Sequence, residues 1–158
     1  MRLEGTCLGD VEIEGENIIT VPEGIPGFPH SKRYVMLEND KDSPFKWLQS
    51  IDESDLAFII INPLYFKADY KIRIDHRDIS ILEPFDLDEM LVMVIVTIQR
   101  DPKQITANLK GPLIINPKNR LAKQVVLVDS EYPTRHHINS IMFPQDHDSH
   151  PRTMLETL

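Results

Sequence analysis

Short runs of Val, Ile, Tyr, Phe and Thr recur along the chain with Gly, Pro, Asn or Asp between them. That punctuation suits antiparallel strands joined by turns and leaves little room for helices. Eight to ten strands are expected. The candidate segments are Leu3–Cys7, Val11–Ile13, Ile18–Val21, Arg33–Leu37, Phe45–Gln49, Ala57–Ile61, Lys71–Ile74, Leu91–Gln99, Ile105–Lys110, Leu113–Ile115 and Gln124–Val128. Lys71-Ile72-Arg73-Ile74 and Val11-Glu12-Ile13-Glu14 alternate cleanly, so one face of each can be wet, whereas Ile59–Ile61 and Leu91–Val96 are apolar on both faces and belong at the centre. Helix is confined to one or two turns in His76–Leu82 before Pro84 and a turn in Asp86–Met90. Many short strands with little helix favour a sandwich or a closed barrel, and closure leaves no free sheet edge. The expected class is all-β: a small antiparallel β-barrel-like single domain, which suits a chain of 158 residues.

Three of the twelve prolines fall in Val21-Pro22-Glu23-Gly24-Ile25-Pro26-Gly27-Phe28-Pro29. Alternating proline, which fixes φ, with glycine, which permits positive φ, gives a stiff loop of non-repeating shape. Its apolar residues Ile25 and Phe28 either plug one end of the barrel or form a preformed edge of a binding surface. Ile60-Ile61-Asn62-Pro63 and Ile114-Ile115-Asn116-Pro117 repeat a buried strand ended by an Asn-Pro turn, without similarity in their flanks. The barrel domain is expected over residues 1–132. Residues 133–158, poor in apolar residues and holding four of the six histidines, read as a polar tail in which a helical turn over Thr153–Leu158 is conceivable.

Catalytic chemistry finds no support. Asp75-His76-Arg77-Asp78 contains a kinase-like triplet without the rest of a kinase, and Gly24–Gly27 lacks the Lys-Ser/Thr end of a phosphate loop. His136, His137, Asp146, His147, Asp148 and His150 are metal-ligand types, but on a polar tail they suggest adventitious binding, so no metal and no cofactor is expected. The single Cys7 excludes an internal disulfide and reads as a buried thiol. Without a leader-like start, and with its longest apolar run, Met90–Ile98, too short to span a bilayer, the chain is expected in the cytoplasm and off the membrane. A net charge of −8 disfavours direct nucleic-acid binding. Residues 1–99 hold 19 acids against 9 bases and residues 100–128 hold 6 bases against one acid. That polarity is either the solvated faces of strands or an acidic face, drawn from Asp69, Asp75, Asp78, Glu83, Asp86 and Asp88, for a basic partner.

Four segments occur in order over residues 1–132: Pro22-Glu23-Gly24-Ile25-Pro26-Gly27-Phe28, Pro44-Phe45-Lys46-Trp47-Leu48-Gln49-Ser50, Asn108-Leu109-Lys110-Gly111-Pro112-Leu113-Ile114-Ile115-Asn116 and Gln124-Val125-Val126-Leu127. Together they resemble the bacterial flagellar assembly factor FliW family, with Gly111 standing where that family commonly has Ala. The resemblance implies a small non-enzymatic β-barrel with two protein partners, flagellin and the RNA-binding translational repressor CsrA. FliW freed by flagellin export binds CsrA and relieves repression of flagellin synthesis. The candidate protein-binding residues are Ile25, Gly27, Phe28, Tyr65, Phe66, Asp69, Tyr70, Asp75, Asp78 and Asn108. The chain alone is expected to be a monomer. A small-ligand-binding barrel is the competing class, and it would need an interior pocket where this sequence offers space-filling Ile, Leu, Val and Met.

Overall fold

A computed structural model describes residues 1–6, 8–38, 40–100, 103–141 and 153–157. Seven strands close into a barrel: β3 (Ile18–Thr20), β4 (Arg33–Leu37), β5 (Phe45–Ser50), β6 (Ala57–Ile61), β8 (Leu91–Arg100), β10 (Leu113–Asn116) and β11 (Leu121–Gln124). Each neighbour pair is antiparallel except the closing one, where Leu121 of β11 lies parallel to Thr20 of β3 and Thr20 N–H donates to Arg120 C=O at 2.9 Å. Alternation sends Ile19, Tyr34, Leu48, Ile60, Leu113, Ile115 and Ala122 inward, where they fill the barrel. The interior is therefore a packed core.

The strands expected to be apolar on both faces serve two cores. In β6 and β8, Ile60, Leu91, Met93 and Ile95 face the barrel interior, while Ile61, Val92, Val94 and Val96 face a second apolar layer outside it. That layer is covered by β7 (Lys71–Ile74) and the 3₁₀ helix His76–Leu82, which contribute Ile72, Ile74, Ile79 and Leu82. A hairpin of β1 (Arg2–Thr6) and β2 (Gly9–Glu12) covers the outside of β3 and β4 through Leu3, Val11 and Val35. β9 (Lys103–Ala107) extends β8 as a hairpin, and the two-residue β12 (His136–His137) pairs with β9.

Three sequence expectations are corrected. Ile105–Lys110 is strand only to Ala107, because Asn108 Oδ1 accepts from Lys110 N–H and Gly111 N–H and bends the chain there. Gln124–Val128 is not a strand. The strand is β11, and beyond it Val125 and Leu127 donate to Pro112 and Lys110 C=O, but the partner is that turn and Pro112 has no N–H to complete a ladder. In place of a helical turn, residues 154–157 form β13 (Met154–Thr157), parallel to β7, whose edge supplies the backbone partners. The Asn-Pro repeat is shared turn chemistry: Asn62 Oδ1 accepts from Leu64 N–H and Asn116 Oδ1 from Lys118 N–H. Asn116 also uses its amide inward, donating to Leu82 C=O and Pro84 C=O at 2.9 Å each, which ties the 3₁₀ segment to the barrel.

Truncation of Asn116 tests that tie. Asn116→Ala removes the two inward hydrogen bonds together with the Lys118 turn bond and should cost about 2 to 3 kcal/mol, at about 1 kcal/mol for each. Urea unfolding measures the loss, and an unchanged midpoint would contradict the inward role of Asn116.

Candidate protein-binding surface

The Pro-rich loop lies across one mouth of the barrel. Gly24 has φ +71° and its missing Cβ would stand 2.9 Å from Pro29 Cα, so only glycine allows the loop to double back that closely. Ile25, 2% exposed, enters the barrel core as its plug. Phe28, 40% exposed, stays outside, its ring edge-on to Phe58 at 5.3 Å, and Phe58 in turn meets the buried Tyr34 ring at 6.1 Å. Of the two alternatives from sequence, the plug is present at Ile25, while Phe28 of the same loop stays at the surface. Gly27, φ +92°, makes the exposed turn between them.

A groove of about 400 Å³ opens beside this loop, between Ile25, Phe58 and Ile95 on one side and the Asn108–Gly111 turn on the other. Gln124 Nε2 donates to Gly111 C=O at 2.9 Å and Asn108 Oδ1 holds two backbone N–H groups, so that wall is fixed by hydrogen bonds. A Cβ on Gly111 would come within 3.0 Å of both Asn108 Nδ2 and Gln124 Nε2. Val126, 56% exposed, with Lys110, Thr134 and Arg135 completes the rim. Of the predicted residues the groove unites Ile25 and Asn108 and is bordered by Phe28. Phe58, Val126, Lys110 and Arg135 were missed, although Val126 had a signal: Val125-Val126-Leu127-Val128 is apolar at both parities and only Val125 and Leu127 are buried.

The remaining predicted residues lie on the outer layer. Tyr65 and Phe66 are half-buried against the outer core, with Phe66 stacked on His136 at 5.7 Å. Partial burial, then Lys67 and His137, lowers the His136 pKa below its ordinary value. The expectation of an exposed aromatic at Tyr70 is corrected: it is 2% exposed, its hydroxyl donates to Leu109 C=O at 2.7 Å, and burial pushes its pKa up. A core position suits it because an aromatic at the start of β7 points under the strand. Asp75 and the exposed Asp78 border a slot of about 550 Å³ between β7 and residues 127–132, where Tyr132 Oη bridges the Lys71 N–H and C=O.

The acidic face is also revised. Asp69 pairs with Lys67 at 2.9 Å, Asp75 with Arg77 at 2.7 Å and Glu83 with His76 at 2.8 Å, so three of its six acids have a cationic or titratable neighbour within the same short segment. The Arg77 side chain, then its backbone N–H, holds the Asp75 carboxyl down at about 2. Among the described residues no three His, Cys, Asp or Glu side chains form a metal-ligand group, and Cys7, Asp146, His147, Asp148 and His150 lie outside them. No helix of the described residues is long and apolar enough to cross a membrane.

The FliW protein family model matches residues 2–138. The chain belongs to the FliW family. It is 39% identical to the flagellar assembly factor FliW of Natranaerobius thermophilus over 137 residues, covering 86% of this chain and 91% of that one. It is 42% identical to that of Treponema denticola over 138 residues, covering 87% and 93%. A crystal structure of the flagellar assembly factor FliW superposes with a TM-score of 0.79 at 33% identity, covering 92% of this chain and 99% of the other. Two of the four segments that carried the resemblance, the Pro-rich loop and the Gly111 turn, face each other across the groove in this chain.

Two measurements test the site's assignments. Tyr70→Phe leaves the buried Leu109 carbonyl unpaired and should lower stability by about 1 to 3 kcal/mol in thermal melts; unchanged stability would return Tyr70 to the surface. The depressed Asp75 pKa means that any stability from this group is present above the ordinary Asp range and is lost as pH falls towards about 2. A carboxyl NMR titration should find its midpoint near about 2, moving upward in Arg77→Gln. An ordinary midpoint in the parent would discard the pair.

Proposed function

We propose that this chain is a non-enzymatic cytoplasmic protein that binds flagellin and, when free of it, binds CsrA and relieves its repression of flagellin synthesis. Family membership over residues 2–138 carries the reading. Two features of the molecule support it. The barrel interior is filled by Tyr34, Leu48, Ile60 and Leu113, all fully buried, which leaves a binding function to the surface. The hydrogen-bonded loops around the barrel mouth present apolar groups at little ordering cost, as a protein-binding surface requires. An acidic chain also suits a partner whose own surface is shaped to hold RNA phosphates.

Size-exclusion chromatography and isothermal titration of the purified protein with flagellin monomer and with CsrA form the test. Complexes with both at micromolar concentration are expected, with one copy on each subunit of the CsrA dimer. Two folded proteins that neither co-elute nor release heat would reject that partner.

A further inference from the structure

We infer that the groove at the barrel mouth is the docking site for an apolar protein segment carrying carboxylate groups, and that flagellin is the partner that supplies it. The inference rests on the functional reading above and adds to it a site and the chemistry of its occupant. Its starting point is the charge of the lining. Arg2, Arg33, Lys46, Lys67, Arg73, Arg77, Lys118 and Lys123 each have an acid within 4.0 Å, whereas Lys32, Lys41, Lys71, Arg100, Lys103 and Arg120 have no ion pair among the described residues, so what marks Lys110 and Arg135 is their place beside an apolar groove. Lys110 and Arg135, the two cations of the groove, have neither an ion pair nor a side-chain hydrogen bond among the described residues, and no acid stands among the groove's lining. A chain with a net charge of −8 has acids to spare, yet none is placed here.

Beside the two cations the lining is mainly apolar, with Thr97, Asn108, Gln124 and Thr134 set among the apolar groups. Val126 and Phe28 are among the few large apolar side chains left exposed, and Phe58 of β6 and Ile95 of β8 line the groove. An apolar floor with cations at its rim favours an occupant with one apolar face and acids beside it: the apolar face is desolvated, and the carboxylates meet Lys110 and Arg135 at the wet margin. The walls need no rearrangement, since the Gly24–Pro29 close approach and the Asn108 and Gln124 hydrogen bonds already fix them. A basic segment would meet like charge at the same rim, which separates this groove from any site for a cationic partner.

Three variants of the full chain test this: Lys110→Glu, Arg135→Glu and Val126→Asp, all at exposed or half-exposed side chains. With flagellin monomer as probe, each charge reversal should weaken binding about tenfold at ~0.05 M salt, and the gap to the parent should narrow at ~0.5 M. Val126→Asp should weaken binding at both salts, while melting temperature and CsrA affinity stay at parent values. Unchanged flagellin affinity at low salt in both reversals overturns the inference. So does parent self-association in ultracentrifugation that Val126→Asp abolishes, because a second copy would then be the occupant. If the parent binds no flagellin, the functional reading fails first, and a labelled amphipathic peptide of Leu and Glu, with a Leu and Lys counterpart, judges the groove alone. Preference for the Glu peptide that Arg135→Glu removes supports the groove, and equal binding of the two peptides rejects it.

Discussion

The fold depends on one strand being buried on both faces. β8 pairs with β6 through Val94–Val96, with β10 through Leu91–Met93 and with β9 through Val96–Arg100, so it is the seam at which the barrel closes and from which the β8–β9 hairpin leaves. Its odd residues Leu91, Met93 and Ile95 complete the barrel interior, and its even residues Val92, Val94 and Val96 complete the outer layer. A one-residue slip would exchange the two sets without exposing either, so apolarity alone cannot fix the register. The register is held by what flanks the strand: Asn116 at the end of β10, anchored to the 3₁₀ segment, and Asn108 at the end of β9, which donates its backbone N–H to Ile95 C=O at 2.9 Å.

That division of labour explains which parts of the fold could be read from the chain. Arg33–Leu37, Ala57–Ile61 and Lys71–Ile74 have the bounds expected of them, because their pattern is local: alternation or an unbroken apolar run ended by Asn, Asp or Gly. Val125–Val128 misled for a physical reason. Its apolar content is that of a strand, and Val125 and Leu127 are buried as a strand's would be, but a strand is defined by its partner and here the partner is the Asn108–Pro112 turn. β13 was illegible for the converse reason, since nothing within Met154–Thr157 records that the parallel edge of β7 is available to it.

The site was legible in part. The Pro-Gly loop announced a shaped surface, and its two apolar residues were the right ones to weigh, but chain order does not say that Ile25 goes in and Phe28 stays out. That follows from Phe58, about thirty residues on, which offers the Phe28 ring an edge-to-face partner at the surface while the barrel interior accepts the smaller Ile25. The groove itself joins the loop, β6, β8, the Asn108 turn and residues 134–135, so no single stretch of sequence carries it. Tyr70 was misread because an aromatic next to an acid and a turn looks exposed until the layer outside the barrel is known to exist.

Charge follows the same logic of local against distant partners. Lys67–Asp69 and Asp75–Arg77 are pairs two residues apart, and such pairs act as small dipoles whose field falls off faster with distance than that of an unpaired charge. The acidic surplus of residues 1–99 is spread over several places: Glu12, Glu14 and Glu16 beside the β1–β2 hairpin, and Glu53, Asp55, Asp78 and Asp86 elsewhere, are exposed and without an ion pair among the described residues. That hairpin packs on β3 and β4 through Leu3, Val11 and Val35, whereas the unpaired Lys110 and Arg135 border the groove beside β6 and β8. Opposite uncompensated charges on separate structural elements allow two partners of opposite charge to be steered to separate places. That contrast would vanish if Lys110 and Arg135 were neutralised by neighbours as Lys67 and Arg77 are.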